Sequence, residues 1–75
     1  MISDKVLDAT GLACPMPIIK TKKAMNEMVQ GQVLEIHVTD KGAKADLAAW
    51  SKSGGHELID TAMDNDILKF WIRKG

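Results

Sequence analysis

The 75-residue sequence has few of the residues that cross-link small proteins or bind metals. It contains one cysteine, Cys14, and two histidines, His37 and His56. A single cysteine excludes a disulfide within the chain, and so small a set of ligands makes a zinc or iron–sulfur site within one chain improbable. We therefore expect a free thiol, with no metal and no cofactor.

The chain also lacks an excess of charge and a long apolar run. Ten basic and ten acidic residues cancel, so the net charge gives no reason to expect direct binding to nucleic acid. No apolar segment approaches the roughly 18 residues of a membrane span, and the first residues lack the pattern of a secretory signal. We expect a cytoplasmic protein without membrane insertion, folded as a single domain over residues 1–75.

Strand and helix patterns alternate along the chain. Residues 32–39 alternate apolar and polar side chains, which predicts a strand with Glu35 and His37 on one face. The whole pattern predicts strands at 5–9, 32–39, 56–62 and 67–72, helices at about 15–29 and 43–53, and a polar turn at 63–66. The order βαβαββ predicts an α+β fold, a two-layer α/β sandwich in which both helices pack on one face of a four-stranded mixed sheet.

Large side chains are expected in the core of this sandwich. Trp50 and Trp71 are expected there because the chain has few other aromatic residues. The first helix is expected to bury a set of residues that recur at helical intervals: Ile18, Ile19, Thr21, Ala24, Met25 and Met28.

The segment 11–17 holds the cysteine and both prolines. Proline is favoured at the start of a helix, where its missing N–H costs nothing, so we expect Pro15 at the first helical position. Cys14 then falls at or beside the N-cap. The positive end of the helix dipole and the unpaired N–H groups there would favour a thiolate, the nucleophilic form.

A lone cysteine has a second interpretation. It is most often a small buried hydrophobic residue. The prolines on its C-terminal side and the helix start favour the nucleophile for Cys14. No second cysteine is present to form a disulfide with it within the chain.

Residues that follow the thiol on the helix are candidate partner contacts. Met16 is either a simple exposed side chain or a docking contact beside Cys14. Lys20, Lys22 and Lys23 are more typical of a solvated helix face, although Lys22 and Lys23 could steer an acidic partner toward the thiol.

Three further polar residues could influence the thiol but favour structural roles. Asp40 is expected to cap or turn the chain before the second helix, with a supplementary place at the partner surface. His56 is expected to make a structural hydrogen bond. Asp8 is expected to stabilise a turn, because a carboxylate near Cys14 would oppose thiolate formation.

Together these motifs resemble a known family. The sequence is similar to the TusA and SirA-like family of small sulfur-carrier proteins over nearly its whole length, at Leu7-Asp8, Gly11-Leu12, Cys14-Pro15-Met16-Pro17, Asp40, Asp46-Leu47 and Gly55-His56-Glu57-Leu58. The resemblance implies a βαβαββ sandwich in which Cys14 accepts sulfane sulfur as a persulfide and hands it to another protein. It also implies that Gly11, Leu12, Pro15 and Pro17 support the thiol loop.

The resemblance implies protein partners, namely a donor such as a cysteine desulfurase or rhodanese-type enzyme, and a sulfur acceptor. The family branch associated with transfer RNA thiolation carries an acidic residue where this chain has Met16, so the destination of the sulfur stays open. The alternative is a non-catalytic interaction or regulatory module in which Cys14 is a spectator.

Overall fold

The computed structural model describes residues 3–13 and 15–75, and the elements follow the predicted order. Cys14 lies outside the described residues. The elements are β1 (Lys5–Ala9), α1 (Met16–Asn26), β2 (Val33–Val38), α2 (Ala43–Ser53), β3 (Glu57–Asp64) and β4 (Ile67–Arg73). The predicted α+β fold with a four-stranded mixed sheet is confirmed.

The sheet order β1-β2-β4-β3 decides which loops meet. β1 pairs in parallel with β2, and β4 is antiparallel to both of its neighbours. Strands β1, β2 and β3 therefore run in one direction, and their C-terminal ends lie together at the end of the sheet where these strands finish. We refer to this as the carboxyl edge; it carries the loops at 10–15 and 39–42 and the turn at 65–66.

The core lies between the helices and one face of the sheet. Alternate residues of the central strands are buried there, including Leu34, Ile36 and Phe70. Met25 of α1 and Leu47 of α2 complete this layer. The intervening residues, such as Glu35 and His37, face the opposite side, as the alternation in β2 predicts. Neither helix of the described residues covers that side.

The bounds of α1 differ from the prediction of about 15–29. The helix begins at Met16, with Pro15 as the N-cap residue, because the Pro15 carbonyl accepts the first helical hydrogen bond, from the N–H of Ile19 at 3.1 Å. It ends at Asn26, since the N–H groups of Glu27 and Met28 bond three residues back, to Ala24 and Met25, and tighten the chain out of the α-helix.

The predicted third strand was too short and the predicted turn too long. Only Asn65 and Asp66 form the turn, with φ angles of 49° and 68°. These residue types tolerate the left-handed conformation that a two-residue hairpin requires. Met63 and Asp64 are therefore released to β3, opposite Leu68 and Ile67.

Two core assignments were wrong. Trp71 is opposite Glu35 in the register and lies half-buried on the open face, where its indole N–H donates to Glu35 Oε1 at 3.0 Å. Ile19 is 52% exposed. It sits two positions from the buried Pro17 and Thr21, about 200° around the helix from each. Trp50 is partly buried against the core, as expected.

Neither helix in the described part of the chain has the length and apolarity needed to cross a membrane.

Candidate functional site

The thiol segment, residues 11–17, connects β1 to α1 at the carboxyl edge. Its part before the helix, residues 11–15, is the thiol loop. Although Cys14 itself lies outside the described residues, both of its flanks are placed. Four interactions fix them: a turn at Asp8, a tether to Thr39, the packing of Leu12, and the proline-containing start of α1.

Asp8 stabilises the turn that leaves β1. Its Oδ1 accepts hydrogen bonds from the Thr10 hydroxyl at 2.6 Å and the Thr10 backbone N–H at 3.0 Å. These bonds, the hydroxyl first, hold the pKa of the Asp8 carboxyl below its ordinary value. The predicted turn-stabilising role of Asp8 is confirmed.

A tether to the neighbouring loop holds the next residue, Gly11. The Gly11 N–H donates to Thr39 Oγ1 at 2.8 Å, so the loop after β1 is bonded to the residue that follows β2. Gly11 has φ of 78°, a conformation that a side chain would strain. Thr39 was missed from the sequence. Its place directly after β2, at the edge shared with the thiol loop, was the available signal.

Leu12 fixes the loop to the body of the protein. Its side chain is half-buried and packs against the core, and its N–H approaches the carbonyl of Ala9 at 3.4 Å. Ala13 beyond it is exposed, as is Pro15 on the other side of Cys14. The residues on both sides of the cysteine therefore face solvent, which leaves room for a partner to approach this segment.

The start of α1 provides fewer N–H donors than an ordinary helix. Pro15 and Pro17 carry none, and the N–H of Met16 donates to the Ala13 carbonyl at 2.9 Å. Residues 15–18 therefore offer at most one N–H, that of Ile18. The expected set of unpaired donors is therefore wrong for these positions. Because the positive end of the helix dipole consists largely of such N–H groups, it is weaker here than at an ordinary helix start. The first turn of α1 contains no acidic residue that would oppose it.

Pro17 gives this helix start its position. It occupies the second helical position and is buried, and its carbonyl accepts the hydroxyl of buried Thr21 at 2.7 Å. The backbone after Cys14 is therefore held both by the proline ring and by packing. Pro15 itself is exposed.

The candidate partner contacts lie on the exposed side of α1. Met16 is 41% exposed, directly beside the exposed Pro15. Lys22 and Lys23 are exposed on the following turns. The structure thus places Met16 next to the thiol segment and the two lysines farther along the same helix.

Asp40 lies at the carboxyl edge and shapes the loop before α2. Its Oδ1 accepts the N–H of Gly42 at 3.1 Å, and its carbonyl accepts the N–H of Ala43 at 3.1 Å. The predicted turn role is confirmed. The tether from the adjacent Thr39 to Gly11 shows that this loop neighbours the thiol loop.

His56 lies apart from the thiol segment. It immediately precedes β3, which runs parallel to β1, so it lies at the end of the sheet where β1, β2 and β3 begin, opposite the carboxyl edge. Its Nδ1 accepts the N–H of Gly75 at 3.0 Å, and its ring stacks on Trp50 with centroids 5.1 Å apart. The predicted structural role is confirmed.

Residues 3–13 and 15–75 contain no cluster of three or more histidine, aspartate or glutamate side chains placed to hold a metal ion.

A family model described as sulfurtransferase TusA matches residues 5–74. The protein belongs to the TusA family. A Bacillus subtilis relative named as a candidate sulfur carrier protein, YrkI, is 72% identical over 75 residues that cover all of both chains. The sulfur carrier protein TusA of Allochromatium vinosum is 42% identical over 71 residues, covering 95% of this chain and 93% of the relative.

A solved structure agrees with this family assignment. The crystal structure of a SirA-like protein from Desulfitobacterium hafniense is 27% identical, with a TM-score of 0.84, and the match covers 95% of this chain and 97% of that one. The family resemblance inferred from the motifs along nearly the whole sequence is confirmed.

Proposed function

We propose that this TusA-family protein is a sulfur carrier that holds sulfane sulfur as a persulfide on Cys14. The observation that carries the proposal is the position of the only cysteine. It lies within the TusA match, between flanks that Thr39 and Pro17 fix and that face solvent at Ala13 and Pro15. Gly11, Leu12, Pro15 and Pro17 are the residues that support the thiol loop.

Loading is a transfer of one sulfur atom between two thiols. The Cys14 thiolate attacks the outer sulfur of a donor persulfide, a new S–S bond forms at Cys14, and the donor S–S bond breaks. The donor leaves as a thiolate, and the transferred sulfur keeps its proton and its oxidation level. Delivery repeats the step, with an acceptor as the nucleophile and the Cys14 thiolate as the leaving group. Neither step requires an external oxidant or cofactor.

The partners are a sulfur donor, of the cysteine desulfurase or rhodanese type, and a separate acceptor protein. Transfer to a partner is supported by the absence of a second cysteine, because the chain itself cannot resolve the persulfide into a disulfide. Met16, Lys22, Lys23 and Asp40 are the proposed contacts around the thiol. A single carrier domain in the cytoplasm, where thiols stay reduced, suits this chemistry.

The test is the mass of the intact protein after incubation with a cysteine desulfurase and cysteine. We expect the mass of one added sulfur atom, its loss on treatment with a reducing thiol, and no addition to the Cys14→Ser variant. Thermal unfolding of the variant should match the wild type, so that loss of loading is not loss of folding. An unmodified mass during efficient turnover of several donors would instead favour the interaction module, in which Cys14 is a spectator.

A further inference from the structure

A shallow cleft of about 160 Å3 lies between the edge strand β1 and helix α1. Leu7 and Ala24 form its apolar part, and charged side chains surround them. The cleft is lined by Lys5, Leu7, Lys20, Lys23, Ala24 and Glu27.

The charge of this cleft is positive and only partly compensated. The Lys5 ammonium group pairs with Glu27 Oε2 at 2.9 Å. Within residues 3–13 and 15–75, the side chains of Lys20 and Lys23 make no hydrogen bond or direct ion pair. Three ammonium groups therefore meet one carboxylate, which leaves two positive charges available to a ligand.

The backbone beside the cleft belongs to β1, one of the two outer strands of the sheet. β1 pairs only with β2, so no strand of the described chain lies along its other side. An extended segment added there would place every second side chain toward the helix layer, the face that carries Lys5 and Leu7. Acidic side chains at those positions would reach the cleft.

The strand at the other side of the sheet, β3, carries acidic side chains and offers no unpaired lysine to an acidic segment. Strand β3 carries Glu57, Asp60 and Asp64, of which Glu57 pairs with Arg73 at 2.6 Å and Asp64 with Lys69 at 3.8 Å. The pairing of β3 with β4 is interrupted between Leu58 and Asp60. Like charges and an irregular ladder both disfavour the addition of an acidic strand at β3. Charge thus distinguishes the two edges.

We propose that an extended acidic segment of a sulfur-transfer partner docks beside β1, with its carboxylates in the cleft against Lys20 and Lys23. The identity of the docked protein as a sulfur-transfer partner rests on the proposed function. Lys20 lies four residues beyond Met16, about 6 Å along the helix axis, so the docked segment would hold a partner beside the thiol segment without covering it. Exposed ion pairs bind weakly, and a carrier must release each partner.

The experiment uses the Cys14→Ser protein, so that the result is independent of sulfur chemistry. The probe is the peptide acetyl-Glu-Val-Glu-Val-Glu-amide, titrated while backbone amide chemical shifts are followed by NMR. The control peptide replaces each glutamate with lysine. We expect saturable shifts confined to β1 and the adjacent face of α1, from the acidic peptide only.

Charge reversal locates the site. The double variant Lys20→Glu, Lys23→Glu should bind the acidic peptide at least about fivefold more weakly, because it replaces two attractions with two repulsions. The matched control reverses Lys44 and Lys52, which are exposed on α2, and should bind as the parent does. Thermal unfolding of each variant verifies that it is folded.

Several results would overturn the proposal. These are no binding of the acidic peptide, equal binding of the basic peptide, shifts centred on β3 or the open face, or equal weakening by the α2 reversal. The same shifts produced by inorganic phosphate at equal concentration would show a small-anion site in place of a strand-docking site. Sulfur loading of the wild type is measured separately, so either proposal can fail without the other.

Discussion

Replacing Thr39 with valine tests whether the tether between the two loops at the carboxyl edge positions the thiol segment. Valine keeps the β-branched shape of threonine and removes the oxygen that accepts the Gly11 N–H at 2.8 Å. The change leaves Cys14 and the residues next to it in sequence intact. Thr39 acts through Gly11, so it is a positioning residue.

The magnitude follows from the exposure of this hydrogen bond. An intramolecular hydrogen bond contributes about 0.5 to 1.5 kcal/mol net to the free energy of unfolding. Because Thr39 and Gly11 are both exposed, water can replace part of the lost bond. We expect the free energy of unfolding to fall by about 0.5 to 1 kcal/mol. If the same energy holds the loop in its productive geometry, the population of that geometry, and with it the loading rate, falls about two- to fivefold.

The assay follows sulfur addition to the intact protein over time at several donor concentrations. We expect a lower maximal rate with little change in the donor concentration at half-saturation, since the docking surface is untouched. Thr39→Ser keeps the acceptor oxygen and should restore the rate. Thr61→Val, on β3 outside the thiol loop, controls for loss of a threonine hydroxyl.

The positioning role predicts that Thr39→Val lowers both the free energy of unfolding and the rate of sulfur loading, so a change in stability alone would refute it. If Thr39→Val lowers stability but loads at the wild-type rate, the tether only supports the fold. Equal slowing by Thr61→Val would assign the loss to general destabilisation. The pH profile of Cys14 alkylation supplies a further readout, because a repositioned thiol segment would change it while a purely structural loss would not.

Two further substitutions test the loop and the open face. Gly11→Ala should lower the free energy of unfolding by about 1 to 2 kcal/mol, because its φ of 78° is left-handed although no atom lies within 4 Å of the added Cβ. Gly42→Ala, where φ is −72°, should change it by no more than about 1 kcal/mol, and equal losses in urea denaturation would contradict this explanation. The hydrogen bond from the His37 ring to Glu35, at 2.5 Å, is the main cause that lowers the pKa of the Glu35 carboxyl. Glu35 therefore stabilises the fold at pH values above the ordinary glutamate pKa, and this contribution is lost as the pH falls through the lower pKa of the folded state. Glu35→Gln should therefore flatten the acid limb of a stability–pH curve; parallel curves for wild type and Glu35→Gln would count against this explanation.

The fold was predictable because its signals are local. The strict alternation of β2 fixed which residues face the helices, and the prolines and glycines marked the connections. Errors in element bounds came from competing local chemistry. Asn65 and Asp66 accept the left-handed conformation, so a turn of only those residues was enough.

The parts that the sequence did not predict depend on contacts between distant residues. The Gly11 to Thr39 bond joins positions 28 residues apart. The only signal for it in the sequence is that both residues follow strands that end on the same side of the sheet. Trp71 was expected in the core on composition alone. Its place on the open face follows from its register opposite Glu35, which accepts its indole N–H from 36 residues away.

The two prolines have opposing effects on a carrier thiol. They remove two N–H groups from the helix start that could otherwise stabilise a thiolate, while buried Pro17 fixes the backbone that follows Cys14. A carrier thiol must attack during loading and leave during delivery. Strong stabilisation of the thiolate makes it a better leaving group and a weaker nucleophile. A helix start with few N–H donors has a weakened positive end and avoids either extreme. The same prolines that fix the direction of the thiol segment therefore also suit a cysteine that has to work in both directions.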